Sequence, residues 1–145
     1  MHRLAIALLL FASLHAAAQC VTATAACPSV LTASLTASDC SSYDGSRYDL
    51  YEFSAAAGTT ITIQLHSASF DPFVGLIDPN GVPVAINDDV SAGSTDAKIV
   101  YALPTGGTYT VFANNLLASG AAGDYELTIS GCATATGPRR RSARH

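Results

Sequence analysis

From Thr59 to His66 the chain alternates without a break. Ile61, Ile63 and Leu65 fall on one side, and Thr60, Thr62 and Gln64 on the other. A period of two is the side-chain period of a half-buried strand, and a helix cannot use it. The pattern returns in Val30 to Leu35 and in Tyr48 to Phe53. It returns again at Ile99, Tyr101 and Leu103, at Tyr109, Val111 and Ala113, and at Tyr125, Leu127 and Ile129. Phe73 to Ile77 is apolar throughout, and Val82 to Ile86 follows it after Asp78-Pro79-Asn80-Gly81. Pro79 pre-sets φ there, while Asn80 and Gly81 tolerate positive φ, so the segment reads as a turn between two arms of a hairpin. Pro104 to Gly107 and the Gly120 and Gly123 region supply further turns. About eight short strands at regular spacing, with no amphipathic helix, predict an all-β fold: an antiparallel β-sandwich, jelly-roll-like. With 145 residues, 49% hydrophobic and 12% charged, the chain has the length and apolar content for one packed domain.

The two ends read differently from the middle. Residues 1–18 carry Arg3, an apolar run from Leu4 to Leu14, and Ala16-Ala17-Ala18. That is the layout of a signal peptide cleaved between Ala18 and Gln19, and the apolar run is too short for a permanent span. Gln19 before Cys20 is not the small residue a lipobox wants. No later stretch is long and apolar enough to be a transmembrane segment. An N-terminal cysteine-containing segment, residues 19–28, precedes the domain at 29–132. Residues 133–145 form a basic tail, read as disordered after Gly137-Pro138.

Cys20, Cys27, Cys40 and Cys132 are an even set in a chain read as exported, and predict two disulfides with three possible pairings. A bridge from the Cys20/Cys27 region to Cys132 would tie the two ends of the domain together; which cysteine makes it is not readable. No C-x-x-C spacing supports zinc.

All eleven carboxylates lie between Asp39 and Glu126, against Arg47 and Lys98 alone, a net charge of −9. Such a domain repels phosphates, so no nucleic-acid partner is expected. Arg139, Arg140, Arg141 and Arg144 make the tail basic, either as a solubilising end or as a contact for an anionic surface or for the acidic domain.

Seven elements then appear in a fixed order. They are Tyr48-Asp49-Leu50-Tyr51-Glu52-Phe53, Ala57-Gly58-Thr59-Thr60-Ile61-Thr62-Ile63, Ser69-Phe70-Asp71-Pro72-Phe73, Leu76-Ile77-Asp78-Pro79-Asn80-Gly81, Asn87-Asp88-Asp89, Leu103 to Val111, and Gly123-Asp124-Tyr125-Glu126-Leu127. Together they resemble the bacterial pre-peptidase C-terminal domain, from about Ser29 to Ser130. The resemblance implies a jelly-roll-like sandwich and a non-catalytic module, usually found after a secreted peptidase; no peptidase domain precedes it in this sequence.

Asn87, Asp88 and Asp89, followed by Asp96 and approached by Asp71 from a neighbouring element, form the candidate metal site, with calcium as the expected cofactor. Calcium takes six to eight oxygens, and crowded carboxylates invite a cation. The EF-hand spacing fails, with Ala92 where glycine and Lys98 where glutamate would stand, so ligands would come from separate loops. The simpler reading makes Asn87 and Asp88 turn residues. Asp49, placed inward with Tyr51 and Phe53, reads as a structural hydrogen-bond acceptor near the rim, toward backbone amides or Arg47.

Catalytic motifs are missing. There is no G-x-S-x-G elbow, and His66 is the one histidine inside the domain, read as a surface strand residue. Three functions follow. The first is an exported accessory module, extracellular or periplasmic, contacting an extracellular polymer or protein partner; exposed clustering of Tyr43, Tyr48, Phe70 and Phe73 would mark it. The second is a purely structural, disulfide-stabilised protein. The third is a hydrolase with two carboxylates in a cleft.

Overall fold

The computed structural model describes residues 22–116 and 122–132. It contains ten strands: β1 (Thr22–Thr24), β2 (Ser29–Leu35), β3 (Cys40–Ser41), β4 (Arg47–Ala55), β5 (Thr60–His66), β6 (Pro72–Ile77), β7 (Pro83–Asn87), β8 (Ala97–Ala102), β9 (Gly107–Asn115) and β10 (Gly123–Ser130). The larger sheet runs β1-β4-β9-β6-β7, with β3 also on β4, and the smaller runs β2-β10-β5-β8. Setting aside β1 and β3, two four-stranded sheets remain, each taking strands from both halves of the chain. This is the jelly-roll arrangement, and its eight strands are those the alternation predicts.

The two additional strands are too short to carry a periodic signal. Thr22–Thr24 and Cys40–Ser41 dock side by side on the edge of β4. The β1–β4 pair is parallel, an exception to the antiparallel expectation. The chain passes through β2 in the other sheet before returning to β4, which allows a parallel partner. The amide of Ala25 extends this ladder to the carbonyl of Glu52 at 2.7 Å.

The core forms where the alternating positions meet. Ile61, Ile63 and Leu65 of β5 and Leu127 and Ile129 of β10 lie against Phe53 of β4, Val74 and Leu76 of β6, and Tyr109 and Val111 of β9, all buried. Each strand thus sends its odd-numbered or even-numbered residues inward as its pleat requires. Phe70 is buried in this core, edge-on to Tyr125, and not on the surface. Its amide is held by Ser67 Oγ, which fixes the loop leading into β6.

Cys27 and Cys132 are joined, with Cα atoms 5.8 Å apart and a sequence separation of 105. The register explains the pairing. Ser29 of β2 lies opposite Ile129 of β10, so the residues just outside the two strand ends meet. Cys40 is disulfide-bonded as well. Cys20, the cleavage site at Ala18 and Gln19, the signal segment and the basic tail lie outside the described residues. Among the described residues, no helix is long and apolar enough to cross a membrane.

Candidate functional site

The acidic residues singled out from the sequence separate into two groups. Asp71 precedes β6, and its backbone carbonyl accepts the amide of Leu116 at 2.7 Å. Desolvation pushes its carboxyl above the ordinary carboxylate range, and the nearby charges of Asp89 and Asp88 push it further. Its Oδ1 is buried without a hydrogen-bond partner. Asp71, Asp88 and Asp89 therefore share one corner of the sandwich, at the start of β6 and the end of β7.

The other two residues are committed elsewhere. Asn87 Oδ1 accepts the amide of Lys98 at 2.9 Å and so stitches β7 of the larger sheet to β8 of the smaller. Asp96 meets His66, Oδ1 to Nδ1, at 2.5 Å. No group of three or more His, Cys, Asp or Glu residues is arranged to hold a metal among the described residues. The corner is a place where like charges gather, not a ready cage.

A second constellation surrounds His66 on the outer face of the smaller sheet. A cleft of about 580 Å³ is lined there by His66, Ser67, Ser69, Ser34, Asp124 and Glu126. No serine in it is hydrogen-bonded to the histidine. Ser34 Oγ donates to Asp124, and Ser67 Oγ donates to the Asp124 carbonyl at 2.7 Å while receiving the Ser69 and Phe70 amides. Asp124 and Glu126, two apart on β10, face solvent, whereas a glycosidase pair works with its acid desolvated.

Asp49 finds a partner the sequence does not indicate. Tyr125 Oη, from the opposite sheet, donates to Asp49 Oδ2 at 2.6 Å, and Tyr51 Oη meets Tyr125 Oη at 2.5 Å. Burial raises the Asp49 carboxyl; the Tyr125 hydrogen bond opposes that rise, and Asp39 adds to it. Tyr125 is pushed up by burial and by the neighbouring Asp49 and Tyr51. The reading of Asp49 as a structural acceptor stands, but its partner is a core phenol and not a rim amide or Arg47.

The outer face of the larger sheet carries a concentration of apolar side chains outside the core. Register aligns Leu50 of β4 with Phe112 of β9, Phe112 with Gly75 of β6, and Gly75 with Ile86 of β7. The adjoining row aligns Tyr48 with Asn114 and Asn114 with Phe73. Ring centroids of Tyr48 and Phe112 are 4.6 Å apart, and those of Phe73 and Phe112 are 6.3 Å apart in an edge-on arrangement. Ile86 is 67% exposed, and the three rings are half-buried. Gly75 sits in the middle, where a Cβ would rest 3.4 Å from Phe112 Cβ and 3.9 Å from Ile86. Gly75 itself is buried, so the side chains of Phe112 and Ile86 close over it and bring the two strands' apolar groups together. Four strands at about 4.8 Å spacing make that row roughly 14 Å long.

Of the four aromatics proposed as surface markers, Tyr48 and Phe73 join this cluster. Tyr43 stands alone and fully exposed in the β3–β4 turn, and Phe70 belongs to the core. Phe112, Leu50 and Ile86 escaped the sequence reading, although alternation against Val111 and Ala113 already places Phe112 on the outer face.

Family and structure comparisons agree with this architecture. Residues 47–114 match the model of the bacterial pre-peptidase C-terminal domain. A search of the curated proteins finds no match. Among solved structures, the chain is similar to the pre-peptidase C-terminal domain of collagenase from Bacillus anthracis. That similarity has 17% identity and a TM-score of 0.56, and covers 75% of this chain and 94% of that one. It is also similar to PliG of Aeromonas hydrophila, a periplasmic inhibitor of g-type lysozyme, with 19% identity and a TM-score of 0.52, covering 76% and 98% of the two chains. A third similarity is to CorA of Methylomicrobium album BG8, a surface-associated copper-binding protein, at 10% identity and a TM-score of 0.50, covering 76% and 99%. At these identities the likeness is one of fold. The ordered motifs and the strand order agree with this family match, which covers residues 47–114.

Proposed function

We propose that this chain is an exported, non-catalytic accessory module, working outside the cell or in the periplasm, and that it holds a polymer or protein partner through the outer face of its larger sheet. The observation that carries this reading is the Tyr48–Phe112–Phe73 cluster with Leu50 and Ile86, an apolar patch outside the core. Contiguous apolar surface on a chain of this size marks a contact site more often than a structural accident. The Cys27–Cys132 bridge supports an oxidising compartment. A purely structural protein would not need the aligned aromatic rows.

Calcium belongs to the proposal as a stabilising ion at the corner of Asp71, Asp88 and Asp89, completed by backbone carbonyls and water. The support is the unpartnered buried oxygen of Asp71 together with the two carboxylates that raise it.

Sedimentation of the mature oxidised protein with cell-envelope material tests the binding surface. Ile86→Glu places a charge on the patch, and Val100→Glu places one on the smaller sheet, where Val100 is 61% exposed. Loss of binding in the first alone is the expected result; equal behaviour of both variants and the parent removes the face from the proposal.

A further inference from the structure

The apolar face is ringed by negative charge. Glu52 lies on the same face as Leu50, two residues along β4, and is exposed. Asp78 closes β6 in the turn to β7, its Oδ1 holding the amides of Asn80 and Val82. Asp88 and Asp89 are exposed just beyond β7, and Asp71 stands at the head of β6. Against these carboxylates the larger sheet offers a single basic side chain, Arg47, whose Nη1 donates to the Asp39 carbonyl at 3.0 Å. Lys98 sits on β8 of the other sheet. An apolar centre with a charged rim is the anatomy of a protein–protein contact, and here the rim has one sign.

Three possible occupants fit poorly. A second copy of this domain would bring two acidic rims together, and like charges across an interface cost several kcal/mol. The chain's own basic segment, Arg139 to Arg144, contains arginines, Ser142 and Ala143, and no large apolar side chain for the patch. A neutral sugar chain needs partners for its hydroxyls, which are costly to desolvate unpaired. The centre of the face is Leu50, Phe112, Gly75, Phe73 and Ile86, and the neighbouring Asn114 amide is spent on Ser46 Oγ and the Arg47 carbonyl, each at 2.9 Å.

We infer that the face takes a cationic segment of a partner protein, with an aromatic or branched apolar side chain packed on Phe112, Phe73 and Ile86 and with flanking lysines or arginines against Glu52 and Asp78. This rests on the accessory-binding reading and narrows its partner. The apolar anchor supplies the burial and the rim supplies the approach. Calcium at the Asp71 corner would neutralise one end of the rim and leave Glu52 and Asp78 as they are.

The test uses the full mature oxidised protein, isotopically labelled, with amide shifts followed by NMR. Three probes are added separately: a short synthetic peptide with one Trp flanked by lysines and arginines, the same peptide with glutamates in place of the basic residues, and a neutral soluble oligosaccharide. The expected result is that only the cationic peptide shifts amides around Gly75, Ile86 and Phe112. Its affinity should fall at least threefold between low and high salt, and again in Glu52→Lys, where the fold is not in question because the residue is exposed. Equal binding of the glutamate peptide overturns the inference, as does cationic-peptide binding confined to the His66 cleft. Oligosaccharide binding on this face overturns the inference but keeps the accessory-binding reading. If no probe shifts the face and Ile86→Glu still sediments with envelope material, both fall.

Discussion

The phenol of Tyr125 reaches across the sandwich from β10 to the carboxylate of Asp49 on β4, 2.6 Å away, and joins the two sheets through a polar contact inside an otherwise apolar interior. Tyr51 extends it, so three polar groups satisfy one another where no water need enter. Replacing Tyr125 by Phe keeps the ring but removes the donor, leaving Asp49 without its partner. Asp49 is half-buried, so we expect a loss of about 1 kcal/mol in denaturant unfolding, the net value of one hydrogen bond.

The same contact sets a pH dependence. Burial raises the folded-state carboxyl of Asp49 above its ordinary value. A group raised on folding contributes stability below its unfolded value and loses it as pH climbs through the folded one. Stability from this residue therefore declines from acid toward neutral pH. Asp49→Asn, which keeps an acceptor for Tyr125 and cannot ionise, should melt at or above the parent temperature at pH 7, with the gap closing below about pH 4. Thermal melts across pH 3 to 7 check this; an unchanged gap over that range would show that ionisation of Asp49 carries no cost.

The bridge between Cys27 and Cys132 spans a sequence separation of 105, nearly the whole domain. On the chain-entropy model its removal costs about 4 to 5 kcal/mol. A Cys27→Ser, Cys132→Ser double variant is expected to unfold at much lower denaturant with the midpoint, not the pairing of β2 and β10, as the first thing to change.

Gly131, between β10 and Cys132, has φ near 82°, and a Cβ there would fall on the carbonyl oxygen of Thr60. Both effects act against any side chain, so Gly131→Ala should destabilise by about 2 kcal/mol or more. Gly58→Ala, where φ is 79° but the space is open, isolates the backbone share and should cost less.

Calcium added to the metal-free protein should raise the melting temperature, while magnesium at equal ionic strength should not. Asp71→Asn removes a proposed ligand and relieves the repulsion from Asp88 and Asp89. It should raise stability in EDTA and abolish the calcium increment. Identical melts with and without calcium would leave the three aspartates as a loop cluster without an ion.

The fold was legible wherever one face of a strand is buried and the other wet. Ile61, Ile63 and Leu65 announce their sheet position because alternation is enforced by the core. Thr22–Thr24 and Cys40–Ser41 were invisible because two or three edge residues have no second face to declare. The disulfide partner of Cys132 needed the β2–β10 register, which is a relation between residues about a hundred apart. Asp96 and Asn87 looked like ligands beside Asp88 and Asp89 in sequence, yet one turns to His66 and the other to Lys98. Neighbours along a loop share no obligation to point the same way. Phe112 falls on the outer face by alternation, but its meaning depends on Leu50, Tyr48 and Phe73 on neighbouring strands, which only the register brings beside it.

The account stands on the outer face of the larger sheet being the working surface, and a photo-activated crosslinker reads that most directly. Placed at Ile86, in the cells that make the protein, the probe lies beside Gly75 and Phe112. Placed at Val100, it lies on the other sheet at similar exposure. The account predicts a discrete adduct from position 86, lost at high salt, and none from position 100. Adducts from Val100 with nothing from Ile86 would contradict it and move the working surface to the smaller sheet and its His66 cleft.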